Sequence, residues 1–107
     1  MTFLALGYLR TDVSQRQRRW DEAQIRSLAR RLGYELSEII LAGTHEPIQR
    51  LMDTVIELNA EAVIVPTADH FDGHLVPAEL IEITDVITVS PEHTYARWAT
   101  GEVPRRE

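Results

Sequence analysis

Apolar positions along this chain follow two rhythms. Residues 3–9 form a short apolar run, Phe-Leu-Ala-Leu-Gly-Tyr-Leu, of strand length. A polar turn follows, Thr11-Asp12-Val13-Ser14, in which Ser14 and Gln17 stand at capping-box spacing, so a helix is expected from about Gln15. Ile25, Leu28, Ala29 and Leu32 then recur at i, i+3, i+4 and i+7, one buried helix face between arginines. Gly33 stands where a helix C-terminus takes glycine.

The pattern then repeats. Residues 34–41 read as a second strand, broken by Ala42-Gly43-Thr44. Thr44 is expected to cap a second helix with Pro47 in its first turn and Ile48, Leu51, Met52, Val55 and Leu58 on its buried side. Ala62-Val63-Ile64-Val65 is a continuous apolar run closed by Pro66, as a central parallel strand requires. A polar loop spans 67–74, a short helix is expected over 77–83, and a fourth strand over 86–89. After Ser90 the pattern fades.

The order β-α-β-α-β-α-β with short connections predicts an α/β fold: a mainly parallel four-stranded sheet between helices on both faces. The strand order expected is 2-1-3-4, a flavodoxin-like doubly wound three-layer sandwich. One domain is expected over residues 1–100 and a flexible tail over 101–107.

Composition narrows the function. A chain of 107 residues buries about 65% of its unfolded surface, enough for one core. There is no cysteine, so disulfides, thiolate metal sites and cysteine nucleophiles are excluded. No apolar run reaches membrane-spanning length, and the first ten residues read as a strand rather than a signal peptide, so a cytoplasmic protein is expected. The net charge of −6 opposes DNA, whose non-specific affinity comes from basic residues displacing counterions. Lysine is absent, and all eleven fixed cations are arginines.

In a sheet of this kind, ligands lie beyond the carboxyl ends of the strands. The three loops expected there carry Arg10, Asp12, Ser14, His45, Glu46, Asp69, His70, Asp72 and His74. Gly7-Tyr8-Leu9-Arg10, Gln15-Arg16-Gln17 and Leu32-Gly33-Tyr34 resemble the start of a serine recombinase (resolvase/invertase) catalytic domain. The runs from His45 to Asp53 and from Ala62 to His70 resemble later parts of the same domain, in matching order. The resemblance covers about residues 4–91 and implies a resolvase-like fold.

It also implies a lost activity. The family reads Tyr-x-Arg-x-Ser after its first strand, with serine as nucleophile. Here Arg10 matches the arginine, but Asp12 occupies the serine position and Ser14 lies two residues later. His45 stands at a family arginine. The family's Asp-Arg-Leu-x-Arg becomes Asp69-His70-Phe71-Asp72-Gly73, which keeps the aspartate and neither arginine. Phosphoryl transfer needs a hydroxyl nucleophile and fixed cations around the developing charge. A carboxylate repels a phosphate, and histidine, mostly neutral at pH 7, does not replace a bidentate guanidinium. The family's long interface helix and helix-turn-helix have no counterpart after Val89. The resemblance therefore implies no catalytic residues, with Arg10, Asp12, His45, Asp69 and His70 as vestigial positions.

The reading that follows is a catalytically inactive resolvase-like domain. It is expected to act as a protein-interaction or regulatory module, with a protein partner or as a homodimer, without cofactor, metal, membrane or DNA strand exchange. One alternative is a metal- or small-anion-binding protein or enzyme using a pocket of Arg10, Asp12, His45, Asp69, His70 and His74, since histidine and carboxylate are usual zinc ligands. An Arg10–Asp69 salt bridge is preferred to an anion site there. Asp12 and Asp69 also suggest the acidic pocket of a phospho-receiver domain, which needs a lysine and a fifth strand, neither of them found. A third reading is a nucleic-acid accessory using the first helix through Arg16, Arg18, Arg19, Arg26, Arg30 and Arg31. A solvated face partly balanced by Asp21 and Glu22 is preferred. Tyr95 and Trp98 are expected to dock on the domain or to serve self-association.

Overall fold

A computed structural model describes residues 2–44 and 46–97. The elements run β1 (Phe3–Arg10), α1 (Thr11–Ser14), α2 (Arg18–Leu32), β2 (Tyr34–Ala42), α3 (Gln49–Leu58), β3 (Ala62–Val65), α4 (Ala78–Ile81), β4 (Asp85–Thr88) and β5 (His93–Tyr95), with short 3₁₀ turns at Gln15–Gln17, Ala68–His70 and Asp72–His74. The sheet order is β2-β1-β3-β4-β5. The first four strands are mutually parallel, and β5 runs antiparallel to β4. The α/β class expected from the alternation is what the chain adopts.

Period-2 alternation on β1 divides the molecule into two cores. Leu6 and Tyr8 join Leu51, Val55, Phe71 and Leu80 on the face covered by α3, α4 and the loop after β3. Ala5 and Leu9 join Ile25, Leu28 and Ile64 under α2. β3 is buried at every position, as its unbroken apolar run requires. Gly7 faces α2, where a Cβ would lie 2.8 Å from Cγ1 of Ile39 and 3.1 Å from Cγ2 of Ile25. Glycine therefore lets the helix and the β2 side chains close onto the central strand. Gly33 ends α2 at φ 86°, its amide donating to the carbonyls of Ala29 and Arg30, the termination the sequence predicts.

Several local expectations are corrected. Among the described residues the sheet has five strands, not four: His93–Tyr95 returns beside β4, pairing Tyr95 with Val86 and His93 with Thr88. The Thr88 hydroxyl fixes that turn by donating to the Pro91 carbonyl at 2.6 Å. Ser14 does not cap α2. It sits in a helical conformation, is buried, and donates its hydroxyl to the Asp21 carboxylate. Thr44 does not cap the next helix, which begins only at Gln49. There Glu46 accepts from the Gly43 amide (2.9 Å) and holds Arg50 (2.8 Å), which in turn donates to the Leu41 carbonyl (2.7 Å). The helix expected over 77–83 is a single turn, Ala78–Ile81. At the other end of the sheet, the Arg97 amide donates to Asp85 (2.6 Å) and its guanidinium to Glu61 (3.2 Å).

Candidate functional site

β1 and β3 end side by side, and the chain leaves them through α1 and through the loop 66–77. Arg10 is the last residue of β1 and is buried, its side chain 9% exposed. Its parity puts it on the Leu6–Tyr8 face, beneath that loop. The guanidinium donates twice to Asp12, from Nε to Oδ1 and from Nη2 to Oδ2, each at 2.9 Å. Nη1 donates to Asp72 Oδ1 at 3.2 Å. The forked geometry with Asp12 matches a planar guanidinium to a planar carboxylate. The Asp12 hydrogen bonds hold the Arg10 cation above its ordinary range, and the same bonds hold the Asp12 carboxyl below its own.

The loop 66–77 is pinned to β1 by three consecutive residues. His70 is buried and accepts the Arg10 amide on Nδ1 at 2.9 Å. Phe71 stacks on Tyr8 with ring centroids 5.3 Å apart and planes 8° from parallel. Asp72 takes the Arg10 guanidinium. Burial pushes the His70 imidazolium pKa down, so the ring is held neutral. With Nδ1 accepting, the neutral ring carries its proton on Nε2.

The residues expected to form one pocket are thus divided among different tasks. Arg10, Asp12 and His70 meet at the end of β1. Asp69 does not pair with Arg10. It lies on the exposed side of the loop, where His74 Nδ1 meets its Oδ1 at 2.9 Å. His45 lies outside the described residues, as do Trp98 and the tail over 101–107. Among the described residues, no three His, Asp or Glu side chains converge to hold a metal ion. An anion fares no better at Arg10, where two carboxylates surround one guanidinium and leave a local charge of −1 (one cation, two anions).

Asp72 is the partner that sequence reasoning passed over. It is near Arg10 only because Phe71 turns inward onto Tyr8, and 62 residues separate the ion pair along the chain. The Ser14–Asp21 bond was likewise hidden, since Ser14 carried the better local signal as a cap. On α2, Glu22 binds Arg18 (3.1 Å) and Arg26 (3.3 Å), and Arg31 reaches Glu92 at 3.0 Å. Tyr95 is half-buried on β5 against the α3-side core. The fifth strand bears no lysine, so a receiver-type acidic pocket lacks its cation. No helix among the described residues is long and apolar enough to cross a membrane.

No protein-family model matches this chain, and no curated protein and no solved structure matches it either.

Proposed function

We propose that this chain is a resolvase-like, flavodoxin-type α/β domain that has lost phosphoryl-transfer chemistry and acts inside the cell as a non-catalytic protein-interaction or regulatory module. The observation that carries the reading is the Arg10 clamp. A recombinase needs this guanidinium open to a scissile phosphate with a hydroxyl beside it. Here Asp12 takes two of its N–H groups and Asp72 a third. The carboxylate at the family's nucleophile position neutralises the one arginine retained by the resemblance. The parallel order β2-β1-β3-β4 supports the finer fold reading.

The histidines of the loop support the same conclusion. His70 replaces a family arginine, and its imidazole accepts a main-chain hydrogen bond instead of presenting charge. A group that holds the backbone in this way stabilises the loop and offers nothing to a phosphate. On this reading the domain keeps the packing at this end of the sheet without the family's cations.

The test has two arms. The purified chain is incubated with supercoiled DNA and denatured. We expect uncut DNA with no protein attached, and a covalent protein–DNA link through any side chain overturns the reading. In parallel, inorganic phosphate is titrated while the Arg10 Nε–H resonance is followed. No shift is expected up to millimolar phosphate, and a saturable shift overturns the clamp's role.

A further inference from the structure

β2, Tyr34–Ala42, lies at the edge of the sheet. Among the described residues β2 pairs with β1 alone. Two cavities, of about 620 and 370 Å³, lie end to end along it between the strand and α2, meeting at Arg26 and Leu36. An open strand edge is a template for another strand, and natural sheets blunt it where pairing is unwanted. This edge is only partly blunted. A bulge at Ser37 shifts the register between Leu36 and Glu38, and Arg50 occupies the Leu41 carbonyl, which leaves residues 34–40.

The two faces of that edge carry opposite charge. On the α2 side, half-buried Leu36 and Ile39 form the floor, and Arg18, Arg26 and Arg30 stand on the wall with Glu22, which pairs with Arg18 and Arg26; Glu35 and Glu38 also line the two cavities from the strand. On the opposite face, register places Glu35 beside Leu4 and Glu38 beside Leu6, both exposed. A two-fold copy of the strand would set glutamates against glutamates on one face and an arginine row beside an arginine row on the other. A symmetric interface must be self-complementary, and like charges on paired strands destabilise. The edge therefore selects against its own copy.

We propose that the β2 edge binds an extended segment of a different protein by strand addition. Carboxylates or aliphatic side chains of that segment face the α2 arginines, and its alternate residues, lysine or arginine, face Glu35 and Glu38. Main-chain hydrogen bonds supply affinity and the alternating side chains supply selectivity. This deepens the interaction-module reading and rests on it for its biological meaning.

The probe is a synthetic seven-residue peptide, Lys-Glu-Lys-Val-Lys-Glu-Lys, with a scrambled peptide of equal composition as control. Amide hydrogen exchange is measured on the full chain with each. Added strand pairing is expected to slow exchange at least tenfold within residues 34–40 with the alternating peptide only. The Arg26→Glu/Arg30→Glu pair and the Glu35→Lys/Glu38→Lys pair should each weaken binding at least tenfold. All four together should restore it, because the peptide then docks by its other face. These side chains are exposed, so folding is retained. Equal binding of the scrambled peptide, no protection of the edge, or a dimer already protecting it without peptide overturns the proposal. None of those results bears on the non-catalytic reading, which only DNA attachment or phosphate binding at Arg10 would overturn.

Discussion

The main-chain amide of Arg10 donates to Nδ1 of His70 at 2.9 Å, across 60 residues of chain. The bond requires a neutral imidazole, because a protonated ring has no acceptor nitrogen. It joins the end of the central strand to the loop that covers it. It also accounts for a buried histidine here, since a guanidinium, always a donor, would leave the amide unpaired.

That bond makes stability depend on pH. His70 has a folded-state pKa below its ordinary value near 6.5, so the unfolded chain binds the proton more readily. Its contribution is complete above about pH 6.5 and is lost as pH falls through the interval between that value and the folded one. Denaturant melts from pH 8 to 5 should show stability falling in this window. His70→Asn, whose Oδ1 accepts the same amide without titrating, should flatten that slope. His70→Ala leaves a buried N–H unpaired and should cost about 1–3 kcal/mol at pH 8 before any loss of packing. An unchanged slope in the asparagine variant would assign the pH dependence elsewhere.

The Arg10 clamp predicts a second, separate acid step. The Asp12 carboxyl is held below its ordinary range first by its hydrogen bonds to Arg10. Its contribution is present above about pH 4 and disappears as pH falls through the depressed value. Asp12→Asn should remove this low-pH component and leave the His70 step unchanged. At neutral pH, Asp12→Ser should lower the melting temperature more than Asp72→Asn, since Asp12 makes two of the three guanidinium bonds and Asp72 is 77% exposed. Loss of the Asp72 pair is expected to cost under about 1 kcal/mol. Asp12→Ser should still give no covalent DNA adduct, because a hydroxyl there lacks the other cations that phosphoryl transfer needs.

Phe71 tests whether the loop is part of the core. It is buried and stacked on Tyr8, and the residues before and after it hold Arg10. Phe71→Ala should cost about 3–5 kcal/mol, a large fraction of a small domain's stability. Phe71→Leu should cost distinctly less, because most of the apolar contact remains. Limited proteolysis of the alanine variant should cut first within residues 66–77. Wild-type resistance there in the alanine variant would mean that the loop is held by His70 and Asp72 alone.

The elements with strong periodicity were legible in the sequence, and those set by distant contacts were not. β3 could be read because all four of its residues are apolar and buried. The end of α2 could be read because Gly33 takes a left-handed backbone that other residues resist. β5 was hidden: it has three residues, two of them exposed, and forms through pairing with β4 rather than through its own pattern. Ser14 shows how a local rule loses. Its spacing to Gln17 fits a cap, but the Asp21 carboxylate seven residues on offers a buried partner, and the chain makes an extra helical turn to reach it. At the site, Arg10 and Asp12 were candidates by their place after the first strand, but the ion pair expected between Arg10 and Asp69 goes instead to Asp12 and Asp72. One turn of loop decides which carboxylate reaches Arg10, and no periodicity records that choice.

Gly7 provides a fold-level test independent of the site. A Cβ there would sit 2.8 Å from Cγ1 and 3.3 Å from Cβ of Ile39, and 3.1 Å from Cγ2 of Ile25. Branched side chains near their own backbones have little room to retreat, and both belong to the core under α2. Gly7→Ala should therefore destabilise by about 1–3 kcal/mol through overpacking, against the gain that alanine gives an unfolded chain. Ile39→Ala, which removes that Cγ1, should cost less in the Gly7→Ala background than in the wild-type chain. Gly43 is the matched control, with nothing within 4 Å of its added Cβ and an amide that alanine would keep for Glu46. Gly43→Ala should stay within about 0.5 kcal/mol of wild type. Equal melts for the two alanine variants would show that α2 does not pack on β1 as closely as the Ile25–Gly7–Ile39 contact requires.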